Sequence, residues 1–157
     1  MSAQFRRQVS SGGCVVIQWS NSTDSVNWPE LSEMYRLAPL GNKSPDWLET
    51  AFSNSMFKFF ARENDVLVAA GRAVADGVDC SYVCDIAVHP SHQGRGLGRE
   101  VIERLVAASA GHRKIILYAV PGKEDFYRRF GFRRMITAMA IFDNPDQAAD
   151  NGYTDEA

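Results

Sequence analysis

The segment Val88-His89-Pro90-Ser91-His92-Gln93-Gly94-Arg95-Gly96-Leu97-Gly98-Arg99 carries three glycines at alternate positions. Glycines so spaced let successive backbone N–H groups turn toward one point and form an anion-binding nest. Leu97, Val101, Leu105 and Ala108 then recur at helical spacing, so the nest opens a helix whose dipole also favours negative charge. A diphosphate suits such a site, and Arg95 and Arg99 add side-chain cations. The loop is not the dinucleotide fingerprint G-x-G-x-x-G, because Gly94, Gly96 and Gly98 stand two apart throughout. It is not a Walker loop either. Gly122-Lys123 is followed by Glu124 rather than Ser or Thr, and Leu117 occupies the place of the first glycine.

Other residues could move protons. Asp85 is a carboxylate within an otherwise apolar stretch, where partial burial can tune it for proton relay; the competing reading is a partner for an arginine. His89 and His92 titrate near neutrality but sit on the phosphate side of the loop, which suits a surface role, and Glu124 is a further candidate. Cys14, Cys80 and Cys84 make no disulfide framework. Cys80 and Cys84 share one predicted strand, where four residues span about 13 Å, too far for one ion, so no metal is expected.

Elements must position these groups. Gly13 to Trp19 reads as a first strand and Ser20 to Asn27 as a loop. Asn27 caps a helix running to about Leu37, with Pro29 in its first turn, and Ser44-Pro45-Asp46 opens a second one. Three strands follow, Met56–Arg62, Val66–Ala75 and Cys80–Val88, with Asn64-Asp65 and Asp76-Gly77 as turns. After the glycine loop come a helix over Gly96–Ala110, a strand over Lys114–Val120 and a short helix over Lys123–Phe130. Arg133–Phe142 reads as a last strand. The fold class is α/β: a mixed, mainly antiparallel sheet of about six strands with helices packed on it. Residues 1–142 form a single domain and 143–157 an acidic tail with five acids and no Lys or Arg.

Composition sets limits. A chain of 157 residues with 45% apolar side chains buries one core. A net charge of −2 argues against a nucleic-acid binder, although residues 94–134 hold ten Lys/Arg against four Asp/Glu, a local +6. The longest apolar runs fall far short of a membrane span, and no signal-peptide core follows Arg6-Arg7, so the expected location is cytoplasmic.

Two segments resemble landmarks of the GNAT family of N-acetyltransferases. Val88-x-Pro90-x-x-Gln93-Gly94-x-Gly96-x-Gly98 is similar to the family's Q/R-x-x-G-x-G/A signature. Phe126-Tyr127-x-x-Phe130-Gly131-Phe132 is similar to its aromatic-Tyr-x-x-hydrophobic-Gly-Phe segment. They stand in the family's order, one helix and one strand apart. The resemblance implies acetyl-CoA as co-substrate, lying where Cys80–Val88 and Lys114–Val120 splay apart, with helices on both sheet faces. It implies that the backbone of Ile86, Ala87 and Val88 pairs with the pantetheine arm. Gln93, Gly94, Arg95, Gly96, Leu97, Gly98 and Arg99 would then hold the pyrophosphate, and Tyr127 would meet the sulfur. Catalysis would fall to Tyr127 as the acid for the departing thiolate, with Asp85 the foremost candidate base.

One departure stands out. Many family members carry an Asn ahead of the tyrosine helix, whereas Ala119-Val120-Pro121-Gly122-Lys123-Glu124-Asp125 has none, and Gly122 leaves that contact to backbone. The expected reaction is direct attack of a primary amine, small and aromatic in the leading reading, on the thioester. Lysine or N-terminal acetylation of proteins and a non-catalytic acyl-CoA sensor are the alternatives. Trp28, Tyr35, Trp47, Phe52, Phe57 and Tyr82 are candidates for core or acceptor pocket. Glu30, Glu33, Asp46 and Glu49 are candidate partners for a cationic amine. An apolar last strand at a sheet edge, with the family's habit, implies a homodimer.

Overall fold

The computed structural model describes residues 15–155, so Cys14 and Arg6-Arg7 lie outside it. The elements run β1 (Ile17–Ser20), α1 (Trp28–Leu37), α2 (Pro45–Ser53), β2 (Phe57–Glu63), β3 (Val66–Ala75), β4 (Cys80–Val88), a 3₁₀ turn at Pro90–His92, α3 (Leu97–Ala108), β5 (Lys114–Ile116), α4 (Glu124–Arg128) and α5 (Pro145–Asp150). Local chemistry sets the early boundaries. The Asn27 side chain accepts from the Glu30 N–H at 3.0 Å, and Ser44 from that of Trp47 at 3.2 Å, so both helices begin at capped turns with proline in the first turn. Asn64 and Asp65 both take positive φ, 50° and 65°, as a tight two-residue hairpin between β2 and β3 requires.

The five strands lie in the order β1-β2-β3-β4-β5, antiparallel except for the parallel pair β4–β5. Helices cover both faces. Leu31, Met34, Tyr35, Leu48 and Phe52 of α1 and α2 pack on Phe60, Leu67, Ala70 and Ala87. On the other face Val101, Ile102 and Leu105 of α3 pack on Ala61, Val68, Ala69, Ala73 and Val83. The close approach of α3 depends on Gly71, where an added Cβ would stand 2.4 Å from Val101 Cγ1.

Two irregularities of β4 make the opening. Arg72 pairs with Cys84 but Ala70 with Ala87, so β4 carries one extra residue, a bulge at which Asp85 takes φ +52°. Pairing of β4 with β5 ends at Tyr82↔Ile116, and from Val83 to Val88 that side of β4 has no partner strand among the described residues. The strand expected over Lys114–Val120 thus stops at Ile116: Leu117 onward turns away from β4 and leaves a cleft.

The C-terminal part departs from expectation. Residues 133–142 form no strand. Their apolar side chains favour one, but strand propensity needs a partner edge, and Ile136, Met139 and Ile141 stay almost fully exposed. The homodimer expectation rests on an edge strand there that the structure does not form. Nor is the segment after 142 wholly a solvated tail. Asn144 caps the Gln147 N–H at 3.0 Å, Ala148 is buried, and Tyr153 packs on Tyr118 and Phe142.

Candidate active site

The glycine loop joins β4 to α3 and borders a cavity of about 460 Å³ lined by Val88, His92, Gln93, Gly94, Gly96 and Phe126, among others. Gly94 and Gly96 take φ of +77° and +84°, the region that L side chains rarely adopt, and the space beyond each Cα is open. Glu100 N–H to Gly96 O, 3.0 Å, is the first bond of α3. From Gly94 to Arg99 no backbone N–H has an acceptor among the described residues. This row of donors, in a positive-φ turn at a helix N-terminus, is suited to a polyphosphate.

Of the two arginines of the loop, Arg99 borders this cavity and Arg95 does not. Arg95 turns to β2, its Nη2 2.5 Å from Glu63 Oε1, while His92 Nε2 lies 2.7 Å from Glu63 Oε2. With Arg95 and His92 both bonded to it, the Glu63 carboxyl is held down at about 2. Arg99 pairs with Glu103 on the outer face of α3, though both still border the cavity. The Arg95 side chain therefore ties the loop to β2, Arg99 stays at the edge of the cavity, and the loop backbone offers the donors.

A second cavity, about 660 Å³, opens at the other end of the cleft. Ile86 of β4 borders it, Val88 borders the first, and Ala87 between them is buried against Ala70 of β3. Tyr127 of α4 also faces the second cavity, packed edge-on against Phe126 and Phe132. Burial, with the Tyr153 phenol beside it, raises the Tyr127 pKa, so its hydroxyl is a proton donor at neutral pH. Cys84 is at the same wall, but burial pushes its thiol up to about 11, which leaves it protonated and inert.

Asp85 lies in this cavity with both oxygens facing cations: Arg72 Nε at 2.6 Å from Oδ2 and Lys43 Nζ at 3.6 Å from Oδ1. Its backbone carbonyl accepts from the Tyr35 hydroxyl. The arginine-partner reading describes its contacts. As a base it would have to break two ion pairs. His89 bonds Ser91, its Nδ1 2.7 Å from the Ser91 Oγ, and neither histidine nor Glu124 borders the second cavity. Of the six aromatic candidates only Trp47 and Tyr82 line it; Tyr35 and Phe52 are core, and Trp28 and Phe57 pack against core. None of Glu30, Glu33, Asp46 and Glu49 lines it.

The family model described as Acetyltransferase (GNAT) family matches residues 17–132. The chain belongs to that family. Enzymes of the family use acetyl-CoA. Among relatives, serotonin N-acetyltransferase 2, chloroplastic, of Oryza sativa subsp. japonica is 40% identical over 127 residues, 78% of this chain. The chain spans 60% of the length of that relative. A GNAT family acetyltransferase from Streptococcus pneumoniae shares the fold at TM-score 0.68 and 24% identity, over 83% of this chain and 98% of its own. A GNAT family acetyltransferase from Brucella melitensis, solved in complex with acetyl-CoA, superposes at TM-score 0.59 and 20% identity, over 76% and 84%.

Lys43, Arg72, Glu63, Tyr118 and Tyr153 were not legible as site residues. Arg72 had a signal, a lone cation in the apolar run Val66–Ala75. The others converge only through folding.

Proposed function

We propose that this chain is an acetyl-CoA-dependent N-acetyltransferase acting on a small primary amine. The observation that carries the reading is the row of acceptorless N–H groups from Gly94 to Arg99 at one end of a cleft whose other end holds Tyr127. The pyrophosphate of acetyl-CoA would lie on those donors. The pantetheine arm would follow the open side of β4 along Ile86, Ala87 and Val88, which brings the thioester toward Tyr127 and the second cavity.

The amine nitrogen attacks the thioester carbonyl carbon, and a backbone N–H of the open strand near Val88 would receive the developing oxyanion. As the C–S bond breaks, Tyr127 gives its proton to the departing sulfur, and the proton shed by the attacking nitrogen passes through water to restore the Tyr127 hydroxyl. The nitrogen must arrive uncharged. Removal from water in the cavity lined by Trp47, Tyr82, Tyr118 and Tyr153 favours that form, because burial disfavours an ammonium. In this account Asp85 orients Arg72 and Lys43 rather than accepting the proton. Rings of Trp47, Tyr82, Tyr118 and Tyr153 around the cavity support an aromatic acceptor, and the rice relative named for serotonin agrees with that class.

Free-thiol release from acetyl-CoA with a panel of amines and lysine or N-terminal peptides tests the proposal. Turnover well above hydrolysis with small amines is the expected result. Turnover confined to peptides would move the acceptor to proteins, and acetyl-CoA binding without any turnover would mark a sensor.

A further inference from the structure

The second cavity has a charge its known groups do not balance. Lys43 and Arg72 bring two positive charges and Asp85 one negative, and no other Lys, Arg, Asp or Glu lines the wall, so the net is 2 − 1 = +1. Both cations are held in place. The ring of Trp47 lies 5.6 Å from Lys43 Nζ and 5.8 Å from Arg72 Cζ, and the Tyr35 ring lies 5.3 Å from Lys43 Nζ.

Both also keep unused donors. Arg72 gives Nε to Asp85 and Nη1 to Ser55 Oγ at 3.2 Å, while its Nη2 has no acceptor among the described residues. Lys43 donates to the Leu40 carbonyl and faces Asp85, which occupies two of its three N–H groups. Each cation is largely buried, with side-chain exposures of 19% for Lys43 and 12% for Arg72, so solvent screens them only weakly. An ammonium-binding site would need a carboxylate free to receive it, and Asp85 is already engaged twice.

Resting on the N-acetyltransferase reading, we infer that the acceptor amine carries an anionic group, a carboxylate or a phosphate, which pairs with Lys43 and Arg72. The anion cancels the excess charge and meets the unused donors of the two cations. The same pairing would hold the amine in the cavity that Tyr127 also lines. A plain amine fills the apolar wall but leaves both cations without their partner. A diamine or polyamine adds positive charge to a positive site and is excluded by it.

Matched pairs test this: tryptamine against tryptophan for a carboxylate, glucosamine against glucosamine 6-phosphate for a phosphate. For each, kcat/KM is measured with saturating acetyl-CoA on the wild type and on Lys43→Gln, and acetyl-CoA affinity is measured separately by calorimetry. The anion-bearing member of at least one pair should lead by about tenfold or more, the scale of one well-placed charge contact. Which pair shows the lead identifies the anion. In Lys43→Gln that lead should fall toward parity with acetyl-CoA affinity unchanged. Preference for the plain amine in both pairs, an undiminished lead in the variant, or acetyl-CoA binding without turnover of any member would overturn the inference. Loss of acetyl-CoA binding in the wild type would instead overturn the N-acetyltransferase reading beneath it.

Discussion

Arg72 and Asp85 meet across the β3–β4 pair, Nε to Oδ2 at 2.6 Å, at the bulge where Asp85 takes φ +52°. The ion pair and the bulge are one device. The extra residue turns the Asp85 side chain to the α1–α2 side, where Arg72 and Lys43 wait, and its carbonyl to the Tyr35 hydroxyl. The same bulge interrupts the regular ladder of β4 beside the cleft.

Asp85→Asn separates positioning from base catalysis. Removing the charge leaves Arg72 and Lys43 largely buried beside a neutral amide, which should lower stability by about 2–3 kcal/mol in urea unfolding. The acid limb of the kcat pH profile should persist in the variant. A general base would take that limb with it.

Tyr127→Phe removes one hydroxyl and little packing. Its kcat should fall by about a hundredfold or more, the usual share of one general acid, with acetyl-CoA affinity unchanged by calorimetry. Because burial raises the Tyr127 pKa, wild-type kcat should show no alkaline loss from this group until above its ordinary value of 10.0.

Glu63 ties the glycine loop to β2 through Arg95 and His92, and its carboxyl is lowered from 4.5 to about 2. A depressed carboxylate stabilises the fold fully above its unfolded value, and that contribution is lost as pH falls through the folded one. Wild type should therefore exceed Glu63→Gln in stability at pH 7, and the gap should close between about pH 4.5 and 2. Urea midpoints at several pH values measure it.

What the sequence told of this molecule followed the range of the interactions. Helix starts at Asn27 and Ser44, the Asn64-Asp65 hairpin and the nest at Gly94–Gly98 depend on neighbours within a few residues, and each stands where the local pattern put it. Tyr127 was legible for the same reason, within one short motif. The wall formed by Lys43, Arg72, Asp85 and Tyr153 draws on a loop, two strands and the chain end, and no local pattern links them. Residues 133–142 misled because an apolar run looks alike with or without an edge to pair with. Asn144-Pro145, the cap of α5, is a local helix signal within the segment read as an acidic tail.

The central claim is that the backbone of the glycine loop holds acetyl-CoA, and calorimetric titration of acetyl-CoA into wild type and Gly96→Val tests it most directly. Gly96 takes φ +84° with open space before it, so a β-branched side chain strains the turn and fills the place of the phosphate. The account predicts binding by the wild type, weakened about tenfold or more in the variant, with the circular dichroism of the fold retained. No binding by the wild type, or equal affinity in a folded variant, would contradict it.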